Sequence, residues 1–167
     1  RTNYDLGRHQ EYSGVSQEYL DPETNEKYVP YIIESTVGCD RCVLAVLDNS
    51  YDVEELDNGE VREVMRFKPY LAPYKLAILP LSKKYHGEEA KKLYERFNKE
   101  FMVSYDETGS IGKRYRRQDA IGTPFCITID DETINNNTVT LRDRDTMEQV
   151  VLNVDEVSDF VEKRIKF

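Results

Sequence analysis

Cys39-Asp40-Arg41-Cys42 places two thiols, a carboxylate and a guanidinium within four positions. Two uses compete for that spacing. A C-x-x-C pair at a helix N-terminus can run thiol-disulfide exchange, because the helix dipole favours the thiolate. Alternatively, the cysteines are incidental and the chemistry belongs to Gly38-x-Asp40-Arg41 threaded between them. The pair sits among apolar neighbours and outside any thioredoxin-like βαβ setting. Structural zinc needs four ligands, and only Cys126, His9 and His86 remain to complete a set. Both points weigh against redox or metal chemistry, and no metal site is expected.

The run Lys113-Arg114-Tyr115-Arg116-Arg117-Gln118 suits a different task. Its cations can neutralise phosphates, guanidinium and phenol groups can stack on unpaired bases, and Gln118 can hydrogen-bond a base edge. A solvated basic face that pairs with the chain's excess acid explains the run equally well. Arg142-Asp143-Arg144-Asp145 reads as a surface ion-pair ladder at a turn. Gly109-Ser110-Ile111-Gly112-Lys113 imitates a phosphate loop, but Glu107 stands where the first glycine belongs and Arg114 where a hydroxyl should hold magnesium. Glu34, just past an apolar run, can hold an ammonium group, while Ser35 or Thr36 can serve simply as a helix cap. His9 and His86 read as surface residues.

These residues need elements to position them. The 167 residues suffice for one ordinary domain with part of another attached. No apolar run approaches the roughly 18 residues a membrane span requires. The start, R-T-N-Y-D-L, is neither a Met start nor a signal peptide and reads as a cut from a longer chain. Three cysteines are too few for a disulfide scaffold, so a reducing, cytoplasmic setting is expected. A net charge of −9 argues against a general nucleic-acid coat protein. The charge is uneven, however: residues 48–63 carry seven acids and one base, residues 111–118 four bases and no acid. A local basic patch on an acidic protein suits selective contact with a polyanion.

Val29-Pro30-Tyr31-Ile32-Ile33 reads as a strand, and a helix with Cys42, Val43, Val46 and Leu47 on one face follows from Gly38. Asp21–Asn25 is a turn. Residues 48–72 read as an acidic connector between a first domain, 1–47, and a second, 73–167. From Lys75 onward strands are expected at 75–79, 102–105, 125–129, 138–141 and 149–152. Helices are expected at 88–101, 111–121 and from Asn153, where Glu156 completes a capping box. The order β-α-β-α-β-β-β-α predicts an α/β domain, a mixed sheet with helices packed on it.

Four strings occur in order: Y-V-P-Y-I-I-E-S-T-V-G-C-D-R, L-A-P-Y-K-L-A-I-L-P-L, G-S-I-G-K-R-Y-R-R-Q-D-A-I-G-T-P-F-C-I-T-I-D and T-V-T-L-R-D-R-D-T-M-E-Q. Together they resemble the C-terminal part of a glycyl-tRNA synthetase of the homodimeric kind, a class II aminoacyl-tRNA synthetase. The resemblance covers nearly the whole chain. It implies that 1–47 is the strand-helix end of a class II catalytic domain carrying the third signature motif, and that 73–167 is an anticodon-binding domain. Gly38 and Arg41 would then lie against ATP, Glu34 would pair with the ammonium of glycine, and Thr36 would stand where the family has Ser. Lys113, Arg114, Arg116, Arg117 and Gln118 would contact the anticodon stem-loop of glycine tRNA, with Arg142 and Arg144 as helpers.

The two other class II motifs are not in the chain. The resemblance therefore implies a parent that is a homodimeric ligase using ATP and Mg2+, bound mainly elsewhere, and a fragment inactive alone. The rival reading is a non-catalytic RNA-binding module derived from such an enzyme. A thiol oxidoreductase using Cys39 and Cys42 is a more distant one. Residues 1–47 are expected to be less stable than the second domain, because strands need neighbours.

Overall fold

The computed structural model describes residues 2–56 and 59–167, and the chain divides into one unit ending at Cys42 and a second, Val43–Phe167. Arg1, Asp57 and Asn58 lie outside the described residues, and with them the first residue of the proposed catalytic segment and one acid of the 48–63 run.

In the first unit, α1 (Tyr4–Ser13) ends at Gly14, whose left-handed backbone returns its N–H to Gln10 O at 3.0 Å. A short hairpin follows, β1 (Tyr19–Leu20) with β2 (Lys27–Tyr28), closed by the turn expected at Asp21–Asn25. The Asp21 side chain accepts the Glu23 N–H at 2.8 Å, and that bond holds its carboxyl below the ordinary range. The expected strand at 29–33 is absent: residues 29–38 form neither helix nor ladder, and Ile33 is 97% exposed. An apolar run with no neighbouring strand has nothing to pair its backbone with. Helix α2 (Cys39–Ser50), which belongs to the second unit from Val43 onward, forms as expected, but Val43, Leu44 and Leu47 on it are exposed.

The second unit departs from expectation first at 48–63. Instead of an exposed connector, Tyr51–Glu55 (β3) and Val61–Met65 (β4) pair antiparallel from Tyr51↔Met65 to Glu55↔Val61. The connector reading fails because every second residue of β4 is inward: Arg62 and Val64 are fully buried, a period-2 pattern masked by the abundance of charge.

Five strands then build the main sheet, in the order β6-β5-β7-β8-β9. They are β5 (Leu76–Pro80), β6 (Val103–Tyr105), β7 (Phe125–Ile129), β8 (Thr138–Asp143) and β9 (Gln149–Asn153). β5 runs parallel to β6 and β7, whereas β8 is antiparallel to both of its neighbours, β7 and β9. Strands β5 and β7 are buried at every position, as central strands covered on both faces must be. Leu76, Ile78, Phe125, Ile127 and Ile129 face α3 (Lys83–Phe97) and α6 (Val157–Ile165) in one core. Ala77, Leu79 and Cys126 face α4 (Ile111–Ile121) on the other side. Burial pushes the Cys126 thiol up to about 12, which makes it a packing residue.

Three local details differ from the sequence pattern. Helix α3 begins at Lys83 rather than Glu88, because His86 Nδ1 accepts the Ser82 N–H at 3.0 Å, as a capping acid would. His86 is thus buried, its Nε2 3.1 Å from Asp131 Oδ1, where a surface histidine is expected. The acidic turn at 130–132 continues into a short helix, α5 (Asp131–Asn136), capped by Asp130. The Asn153–Glu156 capping box forms, opening a 3-10 turn (Val154–Glu156) ahead of α6.

Candidate functional site

An α-helix turns 100° per residue, so four bases in six positions cannot share one face. On α4 the split falls between Arg114 with Gln118, which point inward, and Lys113, Arg116 and Arg117, which point out. Arg114 donates to Gly109 O at 2.6 Å and 3.1 Å and to Pro80 O, tying the loop before α4 to the end of β5. Gln118 Nε2 donates to Ser104 Oγ at 3.1 Å and its Oε1 accepts from Thr123 Oγ1 at 2.8 Å. Both side chains are spent on the frame.

Arg142 and Arg144 are likewise buried rather than displayed at a turn. Asp119, fully buried, accepts Arg142 Nη1 at 2.8 Å, Arg142 Nη2 at 3.1 Å and Arg62 Nε at 2.9 Å. Arg62 also reaches Glu54 at 2.5 Å and the carbonyl of Arg144. Arg144 donates to Gly122 O and Phe67 O, both at 2.8 Å, and to Asp145. Burial opposes the Arg62 charge, but hydrogen bonds to Asp119 and Glu54 outweigh it and raise its pKa above the ordinary guanidinium value. This network fastens the β3–β4 hairpin to α4 and β8. Removing one partner from such a cluster leaves a buried charge uncompensated, at a cost of about 3–5 kcal/mol.

On the outer side, an open cleft of about 660 Å3 lies along α4. Gly112, Lys113, Tyr115, Arg116 and Arg117 come from α4, Arg142 from β8, Met147 from the β8–β9 turn and Glu60 from the end of the β3–β4 loop. The Arg142 guanidinium lies 4.9 Å from the Tyr115 ring centroid, and Tyr115 Oη is 2.5 Å from Thr128 Oγ1. Burial raises the Tyr115 pKa, so its hydroxyl stays protonated. Arg117 is held by Asp106 Oδ2 at 2.6 Å and 2.8 Å and by Thr108 O at 2.5 Å. Arg116 reaches Glu60 Oε2 at 3.4 Å. Met147 is aimed by a left-handed backbone (φ 60°) and donates its N–H to Asp143 O at 3.0 Å. Chemically the cleft offers exposed cations at its lip and a fixed, partly apolar floor, which suits a polyanion carrying flat rings.

The second candidate set, Glu34, Thr36, Gly38 and Arg41, lies in the exposed stretch 33–42. Arg41 is in the first turn of α2, and Gly38 O accepts the Cys42 N–H at 3.1 Å. Cys39 and Cys42 are free and exposed. Among the described residues, no three His, Cys, Asp or Glu side chains converge to hold a metal.

Residues 75–164 match the Anticodon binding domain family. The chain belongs to that family. Its relatives include the glycine-tRNA ligase of Clostridium kluyveri, 58% identical over 167 residues, and that of Geobacillus thermodenitrificans, 59% identical over 167 residues. Each alignment covers all of this chain and 36% of the relative, so the chain spans about a third of their length. The RNA binding domain of threonyl-tRNA synthetase from Cryptosporidium parvum Iowa II superposes with a TM-score of 0.55 at 25% identity, over 59% of this chain and 25% of that one. The mixed sheet flanked by helices is thus the fold of an anticodon-binding domain. No helix among the described residues is long and apolar enough to cross a membrane.

Four residues that line the cleft, Glu60, Gly112, Tyr115 and Met147, are not among the binding candidates the sequence offers. Gly112 and Tyr115 stand inside the G-S-I-G-K-R-Y-R-R-Q stretch, and Met147 inside T-V-T-L-R-D-R-D-T-M-E-Q. Glu60 carried no local signal, because its place depends on a hairpin the acidic composition concealed.

Proposed function

We propose that the chain is the anticodon-binding part of a cytoplasmic glycine-tRNA ligase, and that the α4 cleft receives the anticodon stem-loop of glycine tRNA. The observation that carries this reading is the cleft's division of labour. Lys113, Arg116 and Arg117 stand at i, i+3 and i+4 on the open face of α4, spaced to follow a phosphate backbone. Arg142 and Met147 meet splayed bases behind them, Arg142 held in plane by Asp119. Arg114, Gln118 and Arg144 act as positioning residues that set the helix on the sheet. The names and identity of the relatives support the choice of substrate.

In the same reading, Glu34 binds the ammonium of glycine, Thr36 lines its pocket, and Gly38 and Arg41 lie against ATP. Their exposure in this chain suits a surface that the remainder of a longer, dimeric enzyme completes. Glycine activation then needs that remainder, and the chain alone forms no glycyl-adenylate.

The test is alanine substitution of Lys113, Arg116 and Arg117, one at a time, with binding of the anticodon stem-loop followed across salt concentrations. Each variant should weaken binding several-fold and lower the slope of log affinity against log salt by about one. Unchanged affinity and slope in all three would refute the placement of the RNA.

A further inference from the structure

Strand β9 is an edge of the main sheet, with β8 on one side and, among the described residues, no strand on the other. Its ladder shows which backbone groups are left over. Asp143 N–H bonds Glu148 O at 3.0 Å at one end and Val154 N–H bonds Asn137 O at 2.9 Å at the other, in the register that joins β8 to β9. Antiparallel bonds alternate by two residues. Val150 and Leu152 therefore turn their backbone groups to β8, while Gln149, Val151 and Asn153 turn theirs outward. Glu156 Oε2 takes the Asn153 N–H at 3.1 Å. Gln149 and Val151, both exposed, keep an N–H and a C=O each. Natural edges are guarded by lysine, proline or a bulge, and the run Gln149-Val150-Val151-Leu152 has neither charge nor proline.

Beside that edge, α6 walls a groove of about 290 Å3, lined by Leu152, Glu156, Asp159, Phe160, Lys163 and Arg164. Charge is divided along the wall, with acids toward the start of the helix and bases toward its end. Asp159 and Lys163 have no ion partner among the described residues.

We propose that β9 and α6 form a docking surface for a second copy of this chain, related by a two-fold axis normal to the sheet. Antiparallel pairing of Gln149 with Val151 of the copy, and of Val151 with Gln149 of the copy, uses the groups that β8 leaves free. Val150, 43% exposed, shares the α6 face with Leu152 and meets its own equivalent at the axis. The same axis sets α6 antiparallel to its copy on that face. Glu156 and Asp159 then oppose Arg164 and Lys163 of the copy, and the reverse holds by symmetry. A two-fold contact must be complementary to itself, and a helix with acids at one end and bases at the other meets that condition when reversed. This charge division is what singles out a second copy over an unrelated strand. Helix α4 packs on the opposite face of the sheet, so its cleft stays open in the pair.

The experiment is sedimentation equilibrium of the full 167-residue chain over a concentration series. The wild type should show a monomer–dimer equilibrium that weakens several-fold as salt rises, since the charge pairs are exposed. Val151→Pro removes an outward N–H that the β8 ladder does not use. Each copy then loses one hydrogen bond to the other, and dimerisation should weaken about tenfold while the urea midpoint holds. Lys163→Glu and Asp159→Lys should each weaken self-association, because a charge then faces its like across the axis. An equimolar mixture of those two should restore the dimer, a result that a folding defect cannot imitate. A wild type monomeric throughout the series would overturn the proposal and leave the edge to a different strand. So would a dimer indifferent to all three variants, which places the contact elsewhere. A mixture that associates no better than its components would equally overturn it, by denying the antiparallel helices.

Discussion

Helices α2 and α6 have nearly the same apolar periodicity and opposite fates. On α6 and the turn before it, Val154, Val157 and Val161 are at most 1% exposed, packed on Phe125, Ile127 and their neighbours in the sheet. On α2, Val43, Leu44 and Leu47 are 44–68% exposed. Periodicity therefore specifies a face and says nothing of what covers it. The two candidate sites follow the same divide. The α4 cleft stands on side chains locked from behind by Asp119, Thr128 and Asp106, whereas Glu34, Thr36 and Arg41 are exposed, the first two on a stretch that forms neither helix nor strand. A site can be pre-formed only where a second layer of partners exists to fix it.

The sharpest way to break this comparison is to remove the second layer. Asp119→Asn leaves Arg62 and Arg142 buried without their shared carboxylate, and the second unit should lose about 3–5 kcal/mol in urea unfolding. A loss under 1 kcal/mol would show that solvent reaches the network. Next in size is the helix pair itself. Val161→Ala should cost about 2 kcal/mol, from lost burial plus a residual cavity, whereas Leu44→Ala should stay within about 0.5 kcal/mol. Equal costs would mean that α2 is covered in solution.

A smaller effect is expected from acid. Hydrogen bonds from Arg66 and Arg62 hold Asp52 and Glu54 below the ordinary carboxylate values of 3.8 and 4.5. At Asp145 burial pushes upward, but Arg144 and Arg66 prevail and the net shift is also downward. A depressed folded pKa stabilises above the unfolded value and is lost as pH falls through the folded one. Stability should thus be flat above roughly pH 5 and decline below about pH 4. Loss of the hairpin beginning near neutrality would contradict these shifts.

Much of the fold was legible in the sequence. The apolar runs of β5 and β7 read as strands, 111–121 read as the helix that α4 forms, and Asn153 with Glu156 announced the last helix. The start of α3 was not, since His86 there does the work of an acid. The site was legible only as a string. Helical phase would have separated Arg114 and Gln118 from Lys113, Arg116 and Arg117, but only with knowledge of which side of α4 meets the sheet. The inward turn of Arg142 and Arg144 depended on Asp119 and Arg62, remote in sequence, and no local pattern carries that information.

The most direct test of the central claim is binding of the full chain to the anticodon stem-loop of glycine tRNA beside one with a scrambled anticodon, at low and moderate salt. The account predicts a preference for the native anticodon that persists as salt rises and overall affinity falls, because base contacts are not screened as phosphate contacts are. Equal binding of both loops, vanishing together with salt, would contradict it and reduce the cleft to a patch for phosphate alone.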